Sequence, residues 1–184
     1  MTHTIGLLLA AGAGRRMGTP KALVTGSGGI SWVVAAARTL IAGGCTETVV
    51  VIGAAAEKVR PLLEAESVII VEALDWDEGM ASSLRAGLGA VAGSEADSAL
   101  IHLVDLPDVG PDVVRRLAAL SAPDVLARAT YGHGPGHPVL IGREHWRAIT
   151  DGAQGDSGAG AYLAQHRVVA VDCADLAAGH DIDT

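Results

Sequence analysis

Apolar residues along this chain fall into short blocks separated by longer stretches in which they recur every three or four positions. The blocks Ile5–Ala10, Thr48–Ile52, Val68–Val71, Ala99–Val104 and Val168–Asp172 are short and rich in β-branched residues, the pattern of buried strands. The stretches between them have helical length. Ser31–Ala42 sets Val34, Ala37 and Ile41 on one stripe, Ala56–Glu64 follows, and Met80–Ala92 aligns Leu84, Leu88 and Val91. Pro111–Leu120 opens on Gly110-Pro111-Asp112, a helix start with proline near the first position and an early acid. Strand alternating with helix predicts an α/β fold, a mostly parallel, doubly wound sheet covered on both faces in three αβα layers. Right-handed crossovers then put functional loops at the carboxyl ends of the strands. The segment around 122–160 breaks the rhythm with YGHGPGHPVLIG and reads as an irregular insertion holding one short strand, Val139–Ile141. No repeat or linker divides the chain, so residues 1–184 are expected to form one domain.

Composition narrows the classes. With 49% apolar residues the chain can fill a core, yet aromatics are 3% and phenylalanine is absent, so that core is aliphatic. Thirteen lysines and arginines against 21 acids leave a net charge of −8, the wrong sign for a nucleic-acid partner. No run of about 18 uncharged apolar residues predicts a membrane span. At the N-terminus the apolar run is short and the arginines follow it, which reads as a first strand and not a secretory leader. Cys45 and Cys173 have no metal-ligand spacing and are expected to be reduced core thiols of a cytoplasmic protein.

The most informative stretch is LLLAAGAGRRMGTPKAL, Leu7–Leu23, where a strand runs directly into Gly12, Gly14 and Gly18 with Arg15, Arg16 and Lys21 among them. Glycines allow a tight turn that aims backbone N–H groups at a ligand, and the cations call for an anion such as a nucleoside triphosphate. The Walker pattern is absent. The dinucleotide fingerprint fits poorly: G-A-G-R-R-M-G is one residue too long, and Val51-Ile52-Gly53-Ala54 supplies no ribose-binding acid after the second strand. A merely solvated basic turn is the plain alternative.

This loop resembles the signature LAAGxSxRMGxPK of the MobA-like nucleotidyltransferases, and the double alanine before Gly12 looks like the molybdenum-cofactor cytidylyltransferase branch. Further pieces follow in family order: WDEGMASSLRAG (Trp76–Gly87), HLVDLPDV (His102–Val109), GHPVLIG (Gly136–Gly142), GDSGA (Gly155–Ala159) and DIDT (Asp181–Thr184). The resemblance implies a single Rossmann-like domain with Arg16, Lys21 and Asp105 as catalytic residues. It assigns nucleotide binding to Leu9, Ala10, Ala11, Gly12, Gly14, Arg15, Gly18, Ser82, Ser83 and Arg85. Acceptor binding falls to Gly136, His137, Pro138, Asp156 and Gly158, and Mg²⁺ to Asp105 and Asp183.

The residues carry some of these roles independently. Asp105 ends an apolar strand, and one carboxylate with phosphate oxygens and waters is a usual way to hold Mg²⁺. Ser82 and Ser83 open a helix, where capping is the plain alternative to ligand contact. Asp108 and Asp112 are expected to support the N-terminus of the following helix. His133 and His137 lie four apart, but Gly134, Pro135 and Gly136 forbid the helix a metal pair would need. Gly160 stands where relatives often carry arginine.

The reaction so implied is nucleotidyl transfer: the terminal phosphate of a molybdopterin-type acceptor attacks the α-phosphate of CTP and pyrophosphate leaves. A phosphate monoester is already anionic at neutral pH, so no general base is required. Possible partners are the triphosphate, the pterin acceptor, and a molybdoenzyme or its maturation factor. Three alternatives stay open: another base or acceptor, including GTP with a pterin or a sugar phosphate; a dinucleotide-dependent oxidoreductase; and a non-catalytic pterin carrier.

Overall fold

The computed structural model describes residues 2–26 and 28–182. Strand β1 (Thr4–Ala10) is buried at every position, because it lies mid-sheet with a layer on each side. Its residues alternate between two aliphatic clusters, Leu8 and Ala10 facing one and Ile5, Leu7 and Leu9 the other. The chain continues through α1 (Trp32–Ala42), β2 (Glu47–Ile52), α2 (Ala56–Leu63), β3 (Ile69–Glu72), α3 (Met80–Val91), β4 (Ser98–Leu103) and α4 (Pro111–Ala118). After these come β5 (Leu126–Tyr131), β6 (Gly134–Gly142), α5 (Arg143–Gly152), α6 (Gly160–Ala164) and β7 (Val169–Asp172).

The seven-stranded sheet has the order β3-β2-β1-β4-β6-β5-β7. Only β6 runs antiparallel to its neighbours β4 and β5. Helices α1, α2 and α4 supply Leu40, Val59 and Leu117 to one cluster, and α3 and α5 supply Leu88 and Ile149 to the other. This is the doubly wound, three-layer α/β domain that the alternating pattern predicts.

Three expectations change. The blocks Val68–Val71 and Val168–Asp172, read as buried strands, form the edge strands β3 and β7, where Ile69 and Val169 are each 50% exposed because each strand has a neighbour on one side only. The segment 122–160 is not irregular: β5 and β6 form a hairpin inside the sheet and α5 packs behind it. Two of its glycines, Gly136 and Gly142, mark close approaches. A Cβ at Gly142 would lie 2.2 Å from the carbonyl oxygen of Pro123, so only glycine fits where the strand passes the preceding loop. The buried stripe of α1 is Val33, Val34, Ala37 and Leu40, while Ile41 is exposed. Cys45 and Cys173 are free and buried, as expected.

Candidate active site

Strands β1 and β4 pair in parallel, and their carboxyl ends open at the point where the chain order reverses across the sheet. A cavity of about 340 Å³ occupies that crevice. From β1 and its loop it takes Leu9, Ala11, Gly12, Gly14, Arg15 and Lys21; from the end of β4, Leu103, Val104 and Asp105. Trp76, Asp77, Gly79, Met80 and Ser83 line it from the start of α3, and Asp156 completes it from the turn at Gly155–Ser157.

Glycine is required here for specific reasons. Gly14 has φ of +59°, and a Cβ there would lie 2.0 Å from the Thr19 carbonyl oxygen, so the loop folds back on itself. Gly12 is different: a Cβ there would meet nothing within 4 Å, because the space beyond it is the cavity.

At the floor, Lys21 Nζ donates to Asp105 Oδ2 at 2.6 Å, both side chains being mostly shielded from solvent. Asp105 Oδ1 is buried and has no hydrogen-bond partner among the described residues. Ile182 N–H donates to the Asp105 carbonyl at 3.1 Å, so the C-terminal segment returns to this strand end. That segment is anchored by Asp108, whose Oδ2 accepts from the amides of Ala178 and Gly179 at 2.9 and 2.8 Å. Asp108 therefore holds the C-terminal strap and does not cap α4; Asp112 ion-pairs with exposed Arg115 on α4 itself.

Not all expected site residues converge. Ala10 points away, since side chains alternate and Leu9 and Ala11 already face the cavity. Arg16 and Gly18 are exposed in the loop and do not line it. Ser83 lines the cavity, but Ser82 Oγ donates to the Gly79 carbonyl at 3.0 Å, closing the first turn of α3. Arg85 faces away from it: its guanidinium donates to the Ala153 carbonyl and to Glu78. Asp183 lies outside the described residues. The missed lining residues Trp76, Asp77 and Met80 stand in the WDEGMASSLRAG stretch. Their position just before and at the start of α3, in a stretch already tied to the nucleotide by resemblance, was the available signal.

His137 and Gly158 lie next door, in a smaller cavity that shares Leu9 and Met80 with the first. His137 precedes Pro138 across a cis bond, and the Gly136 carbonyl accepts from Arg128 Nε at 2.9 Å. Burial, reinforced by Arg128 and opposed by Asp181, pushes the His137 imidazole down to about 4. His102 is wholly buried, and burial foremost, with His137 nearby, pushes it down to about 3. Neither ring nitrogen of His102 has a partner among the described residues. Both imidazoles are thus neutral at physiological pH. His133 Nε2 donates to the Ala178 carbonyl at 3.0 Å and stacks on His180. Among the described residues no group of three His, Cys, Asp or Glu side chains is placed to enclose a metal. Nor is any described helix long and apolar enough to cross a membrane.

Residues 6–170 match the model of the MobA-like NTP transferase domain. The chain belongs to that family. Among curated relatives it is 38% identical to nicotine blue oxidoreductase of Paenarthrobacter nicotinovorans, over 97% of this chain and 91% of that protein. The crystal structure of Rv0371c from Mycobacterium tuberculosis H37Rv superposes with a TM-score of 0.83 at 27% identity, covering 100% of this chain and 94% of that one. A nucleotidyl transferase from Methanothermobacter shares the fold with a TM-score of 0.79 at 22% identity, over 94% and 88% of the two chains. This MobA-like domain therefore has a nucleotidyltransferase architecture, with its cavity at the switch point of the sheet.

Proposed function

We propose that this MobA-like domain catalyses nucleotidyl transfer from CTP to the phosphate of a molybdopterin-type acceptor. The observation that carries the reading is the Lys21–Asp105 pair at the floor of a glycine-walled cavity. Lysine and carboxylate together at a phosphate-sized loop fit a polyphosphate and a divalent cation better than a neutral ligand.

Backbone N–H groups of the Gly12–Gly14 turn would approach the triphosphate, and Lys21 and Arg15 would neutralise its charge. Arg16, exposed on the same loop, would close over the pyrophosphate. The acceptor phosphate is the nucleophile; it forms a bond to the α-phosphorus as the bond to pyrophosphate breaks. No residue here has to take a proton, because a phosphate monoester is already anionic at neutral pH. The orphaned Oδ1 of Asp105 is a fitting Mg²⁺ ligand, and Asp183 is the second candidate. When bound, Mg²⁺ would supply charge neutralisation at phosphate oxygens. His137, Pro138, Gly136, Asp156 and Gly158 would form the acceptor side, with a molybdoenzyme or its maturation factor as recipient of the product.

A second reading is favoured by the 38% identity to a protein named an oxidoreductase: the same loop would hold the pyrophosphate of a dinucleotide. Against it stands the end of β2, where Gly53 approaches Trp76 so closely that a Cβ would lie 2.6 Å from Trp76 Cβ, and Gly53 and Ala54 offer no acid to a ribose. One panel separates the readings. Pyrophosphate release is measured with CTP, GTP, ATP and UTP, a pterin acceptor and Mg²⁺, beside nicotinamide absorbance with NADH and NADPH. Pyrophosphate release with CTP supports transfer; nicotinamide oxidation without it overturns the reading.

A further inference from the structure

Arg128, on β5, is partly buried and makes no ion pair among the described residues. Most of the other arginines of the fold have a carboxylate: Arg38 with Glu66, Arg60 with Glu72, Arg85 with Glu78, Arg115 with Asp112, Arg116 with Asp175 and Arg147 with Asp151. Arg128 has none among the described residues; its one recorded bond is from Nε to the Gly136 carbonyl. Burial alone pulls its proton affinity down, with no nearby carboxylate to restore it. A guanidinium desolvated without a counter-charge is costly unless a ligand supplies the anion.

The surroundings are those of a ligand site. Arg128 lies on the same face of the sheet as Val139 and lines two adjoining cavities. The larger, about 350 Å³, is walled by Leu163, Ala164, Val168 and Ala170 between α6 and the sheet edge. The smaller, about 80 Å³, holds His137 and reaches Leu9 and Met80, which also line the glycine-loop cavity. Gly160 borders both, and a Cβ there would meet nothing within 4 Å. A molecule seated here meets apolar walls at one end and a fork of N–H donors at the other, beside the nucleotide cavity.

We infer that Arg128 is the anion-recognising residue of a second-substrate site, which takes a small molecule joining a flat apolar body to a phosphate monoester. The body fills the cavity against α6, and the phosphate sits on Arg128, turned toward the Met80 side. This deepens the transferase reading by locating the acceptor's charged end.

The test uses phenyl phosphate as probe, titrated calorimetrically into the full chain without nucleotide, with phenol as the neutral control. Failure of CTP turnover and failure of this site are thus separate outcomes. Phenyl phosphate should bind the native chain, and at least about tenfold more weakly to Arg128→Gln. Phenol should bind weakly to both. Gly160→Glu, which leaves Arg128 in place and sets a carboxylate beside it, should weaken phenyl phosphate similarly. CTP affinity should be unchanged in both variants, which also shows that they fold. The site is overturned if the native chain does not bind phenyl phosphate, or if Arg128→Gln binds it as tightly. It is equally overturned if Lys21→Ala, and not Arg128→Gln, abolishes binding, which would put the phosphate in the glycine loop.

Discussion

Lys21 and Asp105 stand 84 positions apart in sequence and meet through a 2.6 Å contact from Nζ to Oδ2 at the mouth of the sheet. Each is held by a strand end: Asp105 by β4, Lys21 by the loop that leaves β1. The pair fixes the distance between the cationic loop and the carboxylate before any ligand arrives, which is preorganisation of the kind phosphoryl chemistry exploits. Lys21→Ala and Asp105→Ala should each lower magnesium-dependent pyrophosphate release by about 10²–10⁴, or roughly 3–5 kcal/mol of transition-state stabilisation. Release at the native rate in either variant would remove the substituted residue from the reaction.

Gly12 and Gly14 should respond differently to alanine. At Gly14 the added Cβ meets the Thr19 backbone in a left-handed conformation, so Gly14→Ala should cost about 1–3 kcal/mol of folding stability. At Gly12 there is room, so Gly12→Ala should unfold within about 0.5 kcal/mol of the native chain yet bind triphosphate more weakly. Urea unfolding together with nucleotide titration checks both; equal stabilities would contradict the crowding at Gly14.

The buried histidines make folding acid-sensitive. His102 and His137 are held neutral in the fold, pushed to about 3 and about 4, while an unfolded chain binds their protons near 6.5. The unfolded state therefore takes up more protons as pH falls from about 6.5. Their stabilisation is complete above that pH and is lost progressively toward about 4 and then about 3. Each contributes up to a tenfold change in the folding equilibrium per pH unit within its window, about 1.4 kcal/mol. His102→Leu should show a flatter stability profile between about pH 6.5 and 4 than the native chain. Parallel profiles would show that His102 is protonated in the fold.

Asp108 should govern the C-terminal strap. In Asp108→Ala the amides of Ala178 and Gly179 lose their acceptor, and that of Ile182, downstream at Asp105, loses its anchor. Hydrogen exchange should speed at these three positions while the amides of α4 keep native protection. Faster exchange confined to the first turn of α4 would restore a capping role to Asp108.

Much of the fold was legible because it is a matter of local periodicity. Strands buried on both faces read as unbroken apolar runs, and Leu84, Leu88 and Val91 of α3 fall on the predicted face. The hairpin β5–β6 was not legible: β6 carries Gly134, Pro135, Gly136 and Pro138, residues that normally argue against a strand. They are accommodated because Gly134 takes a positive φ at the hairpin turn and Gly136 lets the strand pass close to Tyr131.

For the candidate site, the sequence by itself determined the glycine loop, its cations and the aspartate ending β4, because those residues act through their own chemistry and immediate neighbours. It also determined the alternation that makes the sheet parallel and puts loops at its carboxyl edge. Which side chains face the crevice was decided only by tertiary structure. Alternation turned Ala10 away, a carbonyl and Glu78 claimed Arg85, Gly79 claimed Ser82, and the returning C-terminus claimed Asp108. Arg128 emerged only there too, since whether an arginine has a counter-charge depends on residues distant in sequence that folding brings, or fails to bring, within reach.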